Sequence, residues 1–381
     1  MRPALLLVVA ACGASGFPTA AHPPLPVIPD HGGPRMTAPR LVTVTFAGYE
    51  LADDVERYGD WMMRSAWLET VGADFGFGRG SHTAKVRLRA APPQLSPADL
   101  ALLLVDRIRD GSVPALPEAR LEVVYILYIP PGTSLIGAVG GGGRSLQSCR
   151  DYGGYHDRAT DDAGPFAYAV IPTCDAGSTR DTLAGIELAA SHELAEAATD
   201  PRTSPEQAAW VLAEPLNAWA PPDRGGEVAD LCEIGYPAYR DGDFFAQRVW
   251  SNSAAQRGDD PCVPAPDGPW FNVSASPDGV VTVAPGTTVT LRLTGFSTGP
   301  VADWDVDLRM LSGASDFVPA VHVDRETINN GKQGTATLMV PGDAPAGGMA
   351  EGFIRSRRDG HTRSVWPILL RVNSATTTAA R

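Results

Sequence analysis

The stretch His192-Glu193-Leu194-Ala195-Glu196 combines residue types that hold a divalent cation with one that can take a proton. It lies in a run that is otherwise small and aliphatic, with Leu183, Ile186, Leu188, Ala190, Leu194 and Ala197. That run predicts a long helix from Asp181 to Thr199, buried nearly all round and ended by Asp200-Pro201. Glu187, His192, Glu193 and Glu196 are set into it. Burying three carboxylates and an imidazole without partners is costly, so something must neutralise them. On a helix His192 and Glu196 stand four apart and share one face, while Glu193 points about a quarter-turn away. Two ligands one turn apart, with a glutamate beside the first, is an arrangement that polarises and deprotonates a water.

This is the geometry of the zincin helix, with one departure: Glu196 stands where the common H-E-x-x-H motif has its second histidine. One imidazole with two or three carboxylates is an oxygen-rich donor set. It shifts preference toward calcium or manganese relative to a histidine-rich site, with zinc still the first expectation. Further ligands must come from elsewhere. In Gly225-Gly226-Glu227-Val228-Ala229-Asp230-Leu231-Cys232-Glu233, one helical turn would aim Glu227 and Asp230 the same way, and a disulfide at Cys232 could pin it. The expected site is therefore His192, Glu196 and one of Asp230 or Glu227 around a metal, with Glu193 as general base. His156 is an additional candidate donor and His82 a poorer one.

Taken jointly, three segments carry a resemblance: Ser191 to Pro201, Asn217-Ala218-Trp219, and Glu227-Val228-Ala229-Asp230-Leu231-Cys232-Glu233. They resemble the plant EXORDIUM (phosphate-induced) family, in which a similar helix precedes an Asn-Ala-Trp segment and a Glu-Ile-Ala-Asp-Leu-Cys-Glu block. Ser148-Cys149 to His156, Tyr168 to Pro172, and Val249 to Cys262 are also similar to uncharacterised secreted bacterial proteins of like plan. The likeness covers residues 41–264. It implies an extracytoplasmic protein of zincin-like appearance, tied to growth and cell-wall signalling, and it implies no particular reaction.

The elements that must position these residues are legible in outline. Leu41 to Phe46 and Lys85 to Arg89 read as strands, and Val55, Tyr58, Trp61, Met62 and Trp67 as the buried side of a helical stretch. Ser96-Pro97-Ala98-Asp99 is a helix start. Val123 to Ile129 is a continuous apolar run that suits a central strand buried on both faces, and Phe166 to Ile171 is another. Residues 41–264 are expected to form an α/β or α+β zincin-like domain. Beyond Pro264 short alternating strands replace helices, so residues 268–374 are expected to form an all-β immunoglobulin-like sandwich. The four glycines Gly140 to Gly143 lack a phosphate-binding Lys-Ser/Thr and read as a mobile loop.

Composition bounds the setting. With 381 residues, 44% of them hydrophobic, the chain has ordinary globular composition, and the net charge of -13 argues against nucleic acid as a partner. Met1-Arg2-Pro3 and the apolar Ala4 to Ala11 fall short of the ~20 residues a membrane span needs, and read as a signal peptide over 1–21. Val9-Ala10-Ala11-Cys12 also resembles a lipobox. Lipidation of Cys12 would then be the chain's sole attachment to a membrane, and an extracellular, periplasmic or outer-surface location is expected. Residues 22–40, rich in Pro, Gly and Ala, read as a disordered linker. Cys149, Cys174, Cys232 and Cys262 suit an oxidising compartment, and neighbour pairing favours Cys149–Cys174 with Cys232–Cys262.

Other signals read as decoys. Gly295 to Gly299 matches G-x-S-x-G but follows a sandwich strand with no helix after it. His322 and His361 read as strand or surface residues, and Asn272-Val273-Ser274 as a bystander glycosylation pattern. Two functional readings follow. One is a metallohydrolase, peptidase-like, acting on a peptide or cell-wall substrate; the other is a non-catalytic surface protein with a structural or vestigial ion. The oligomeric state is not set by the sequence.

Overall fold

The apolar run at 123–129 lies at the centre of the first half of the chain, and the other elements there are arranged about it. The computed structural model describes residues 17–138, 145–201, 208–212, 217–221 and 225–373. Cys12, most of the expected signal segment and the Gly140 to Gly143 run lie outside these residues. In chain order the elements are β1 (Arg40–Phe46), α1 (Ala52–Met62), α2 (Ala66–Gly72), β2 (Ser81–Leu88), β3 (Gln94–Leu95) and α3 (Pro97–Arg109). Then come β4 (Val123–Ile129), β5 (Ser134–Ala138), β6 (Ser145–Gln147), β7 (Tyr155–Asp161), β8 (Gly164–Pro172) and α4 (Thr179–Thr199). One sheet has the order β2-β1-β4-β8-β7, parallel throughout except for the antiparallel edge strand β7.

Every residue of β4 is buried, as a strand covered on both faces requires. Its alternation sends Val124, Ile126 and Tyr128 toward α1, α2 and α4, and Tyr125 and Leu127 toward α3. Serines set the helix starts. Ser96 and Asp99 form a reciprocal capping box on α3, and Ser178 accepts a hydrogen bond from the Asp181 N–H. The Ser178 cap is why α4 begins two residues before the expected Asp181. The edge strand β7 was not legible, because Tyr-His-Asp-Arg-Ala-Thr-Asp is mostly polar and lacks a clear apolar alternation. Its register pairs His156 with Ala169, and Ala169 belongs to the core on the α4 side, so the pleat aims His156 toward that helix.

Past α4 come β9 (Tyr239–Asp241), β10 (Phe244–Ala246), β11 (Val249–Trp250), α5 (Asn252–Arg257) and β12 (Cys262–Val263). The two expected disulfides, Cys149–Cys174 and Cys232–Cys262, are both present. The second ties the 3-10 turn Asp230–Cys232 to β12.

The remainder is all strand apart from one 3-10 turn: β13 (Phe271–Ser276), β14 (Val280–Val283), β15 (Thr288–Ser297), β16 (Trp304–Met310) and β17 (Ala320–Val323), then β18 (Thr327–Ile328), β19 (Gln333–Met339), β20 (Met349–Arg358) and β21 (His361–Val372). They form two sheets, β13-β15-β19-β17 and β14-β21-β20-β16-β18, with Val273, Leu291, Trp304, Ile354 and Trp366 in the shared core. Pairing is antiparallel except between β14 and β21. Ser297, the serine of the G-x-S-x-G match, is buried inside β15 and donates to the Gly299 carbonyl. Asn272 is buried too and donates to the Val365 carbonyl, so its side chain offers no surface for a glycan.

Trp219 meets Trp250 at 5.1 Å and Trp366 at 5.5 Å, so one apolar core runs from the helical half into the sandwich. The expected disordered linker over 22–40 is corrected. Ile28 and Met36 are fully buried, and the His22 ring stacks on Phe296 at 4.1 Å. A composition poor in large apolar residues leads to disorder only when none of those present finds a socket; here isolated anchors along an extended Pro-rich chain do. The Asn252 side chain holds Ile28 at both backbone groups, each at 2.8 Å. Asn252→Ala leaves a buried N–H and C=O unpaired and is expected to cost about 1–3 kcal/mol. Thermal unfolding would read that loss, and limited proteolysis would show cleavage near residue 28; unchanged values in both would contradict this docking.

Candidate metal centre

Three segments remote in sequence meet beneath α4. The helix supplies His192, Glu193 and Glu196, the edge strand β7 supplies His156, and the loop and 3-10 turn from 225 to 233 supply Glu227 and Asp230. His192 Nε2 lies 3.0 Å from Glu196 Oε2 and 3.7 Å from Asp230 Oδ1. His156 Nδ1 lies 3.2 Å from Glu193 Oε2 and 3.5 Å from Glu196 Oε2. Across the same ring, His156 Nε2 stands 3.6 Å from Glu227 Oε1. His192, Glu196 and Asp230 therefore form one ligand group, and His156, Glu193 and Glu196 another. Glu227 joins neither and faces the far side of the His156 ring. His82, the poorer candidate, is elsewhere, with Nδ1 3.0 Å from Asp60. Glu187 is also apart, accepting from the Phe245 N–H at 2.9 Å.

The fit to a cation can be judged from these separations. Ligand atoms held at about 2.0–2.2 Å from one ion stand roughly 3–3.6 Å from one another. The measured contacts of 3.0 to 3.7 Å fall close to that spacing. Glu196 Oε1 and His156 Nε2 are both buried without a hydrogen-bond partner, which is where unmet electrostatic demand shows. Among the described residues no lysine or arginine pairs with any of the four carboxylates of the cluster. The donor set of imidazole and carboxylate fits a divalent ion and is richer in oxygen than a three-histidine site.

Two glycines make room for this packing. Gly225 adopts φ +81°, and a Cβ there would collide with Asp230 Oδ2, the atom that accepts from the Glu227 N–H at 3.0 Å. A Cβ on Gly154 would come within 2.8 Å of Glu193 Oε1.

One functional residue was missed by sequence reasoning. Gln247 Oε1 lies 2.9 Å from His192 Nδ1, while its Nε2 donates to the Ala229 carbonyl at 2.8 Å. A carbonyl can only accept, so the amide must present its own oxygen to the ring. Nδ1 then carries the proton, and a neutral His192 turns its lone pair on Nε2 toward Glu196 and Asp230. The Gln247 N–H also donates to Ser191 Oγ at 2.9 Å, next to His192. The apolar flank Phe244-Phe245-Ala246 hints that Gln247 is buried, but nothing local names its partner.

The electrostatics of the ion-free cluster follow from burial and crowding. Burial works against charge on His156 and His192, yet the adjacent Glu227 and Glu196 carboxylates respectively hold both rings well above the usual histidine range. Burial raises Glu227 to about 8 against the opposing pull of His156, with Glu196 and Asp200 adding repulsion. Asp230 is likewise pushed well up by burial and by Glu196. Glu196 moves the other way: burial opposes its charge, but the two imidazoles draw it down to about 2.

No protein-family model matches the chain, and no curated protein matches it. Among solved structures, similarity is found to the PapD-like domain 7 of human CEP192, at 12% identity over 27% of this chain and 84% of that one, with a TM-score of 0.18. A Caenorhabditis elegans MSP family member, WR4, matches at 14% identity over 27% of this chain and 96% of its own, TM-score 0.18. A nucleoside hydrolase-related hypothetical protein from Saccharophagus degradans matches at 10% identity over 88% and 100%, TM-score 0.29. Likeness at this level carries no argument about fold or function.

Two outcomes are expected from this geometry. His156, His192, Glu227 and Asp230 all bind protons more tightly folded than unfolded. The stability of the ion-free protein therefore falls as pH rises from the unfolded carboxylate range toward about 8. Ion binding needs these groups deprotonated, so the stabilisation given by added metal grows over the same interval. Melting temperatures with chelator and with metal across that range would show the divergence; parallel curves would contradict it. Gln247→Leu should weaken metal binding about 10–100-fold in calorimetric titration while the fold is kept.

Proposed function

We propose that the chain is an exported, metal-dependent hydrolase of peptidase-like type. The observation that carries this is the convergence of His192 Nε2, Glu196 Oε2 and Asp230 Oδ1 within ligand spacing, with Glu193 on the same helix beside them. A helix that carries ligands over a mostly parallel sheet with an antiparallel edge strand supports the zincin-like reading of residues 41–264. The paired sheets after residue 268 support an immunoglobulin-like module that spaces or anchors the first half. Two disulfides support an oxidising compartment, and no helix of the described residues is long and apolar enough to cross a membrane.

A divalent ion, zinc by first preference and calcium or manganese given the oxygen-rich donors, would polarise a water and the bond under attack. The chain's own residues do the rest. His192, Glu196 and Asp230 hold the ion, with Gln247 fixing the His192 ring. Glu193 is the carboxylate placed to take the proton of the attacking water. His156 Nδ1 steadies Glu193 through Oε2, which leaves Oε1 as the accepting atom. The substrate class that fits the resemblance and the location is a peptide or a cell-wall polymer.

Burial favours a second reading, a surface protein whose ion is structural: the His192, Glu196 and Asp230 side chains are only 12%, 4% and 12% exposed. Glu193→Gln separates the two. In the hydrolase it retains the ion held by His192, Glu196 and Asp230 and loses about 10²–10⁴-fold in turnover of a peptide library. If the unmodified protein cleaves nothing, and His192→Ala lowers only the melting temperature, the structural reading stands instead.

A further inference from the structure

We propose that the centre takes two divalent cations, with Glu196 shared between them. This rests on the metal-site reading above and extends it. The first seat is His192 Nε2, Glu196 Oε2 and Asp230 Oδ1; the second is His156 Nδ1, Glu193 Oε2 and Glu196 Oε2. Each seat has one imidazole and two carboxylates whose ligand atoms lie within 4.8 Å of one another, and each imidazole nitrogen stands 3.0–3.7 Å from its two carboxylate oxygens, close to the spacing one ion would impose. Glu196 Oε2 stands 3.0 Å from one histidine and 3.5 Å from the other, between the two seats.

Beyond the ligands, the His192 ring is held from behind by Gln247 Oε1 at 2.9 Å, which orients it for metal binding from the front. Behind the His156 ring, Glu227 Oε1 stands 3.6 Å from Nε2, beyond hydrogen-bond reach.

Charge gives the count. Glu193, Glu196, Glu227 and Asp230 carry four negative charges when ionised, and among the described residues no lysine or arginine answers them. Two divalent ions offset these four charges with both imidazoles neutral, and one offsets only half of them, while Asp200 adds a fifth acid beside Glu227. One orphaned atom agrees: Glu196 Oε1, the second oxygen of the shared carboxylate, is buried without a hydrogen-bond partner. With the second seat filled, Glu193 is a ligand through Oε2, and Oε1, beside Gly154, remains its proton-accepting atom. Two divalent ions sharing a carboxylate would suit hydrolysis, since together they would activate the attacking water and polarise the bond under attack.

The test is metal stoichiometry on the full chain, stripped with chelator, reloaded with zinc or manganese and freed of excess ion. Two ions per chain are expected. His156→Ala should keep one ion and His192→Ala the other, while Glu196→Ala should weaken both together. Manganese-loaded wild type should show a spin-coupled resonance that His156→Ala converts to that of an isolated ion. This readout needs no activity, and the wild-type measurements need no variant to fold. One ion per chain, with an uncoupled manganese signal, overturns the second seat and leaves the single-ion hydrolase intact. No bound ion overturns both.

Discussion

Four carboxylates and two imidazoles gathered in a nearly dry space set the terms for this half of the molecule. Unscreened negative charge of that density is unfavourable in a protein interior, and among the described residues no lysine or arginine pairs with it. The ion-free cluster compensates by holding protons, visible in the raised values of His156, His192, Glu227 and Asp230. Divalent cations would do the same work without protonating the carboxylates.

Assembling the cluster demands accuracy from three separate segments. The α4 helix gives the 192–196 spacing by its own geometry. The register of β7 on β8 decides that His156 faces the helix, since a slip of one residue would turn it to the α3 side. The 225–233 segment has no long regular element to hold it. It relies on the Cys232–Cys262 disulfide, on Gly225 in a left-handed conformation, and on Gln247 reaching the Ala229 carbonyl. Gln247 touches both His192 and the turn bearing Asp230, so one side chain couples two of the three contributors. The sandwich is tied in by Trp219, Trp250 and Trp366 and by the docked segment that ends on Met36. The Met36 N–H bonds the Ala198 carbonyl, at the C-terminal end of the site helix.

Much of this was legible because it is local. The body and C-terminal end of α4, the Ser96 start of α3, the doubly buried β4, the change to short strands after residue 264 and the pairing of neighbouring cysteines all follow from spacing along the chain. Periodicity is a statement about neighbours, and these features are made by neighbours. The polar edge strand β7 escaped, because an edge strand buries one face only and its pattern is weak. The segment from 22 to 40 misled for a related reason: its composition suggests disorder, and its order comes from partners hundreds of residues away, Asn252 for Ile28 and Phe296 for His22.

The sequence by itself determined that a buried helix carries His192, Glu193 and Glu196, and that such a helix needs positive charge from outside. It could name Asp230 or Glu227 as the further ligand, without choosing between them, and His156 as an additional donor. Only the tertiary structure decided that Asp230 completes the His192 group, that His156 joins Glu193 and Glu196, that Glu227 stands behind the His156 ring, and that Gln247 sets the His192 tautomer. The physical reason is that ligand geometry is a relation of a few ångströms between residues far apart in the chain. Sheet register, a disulfide and a glycine turn establish that relation, and none of the three is encoded in the motif they serve.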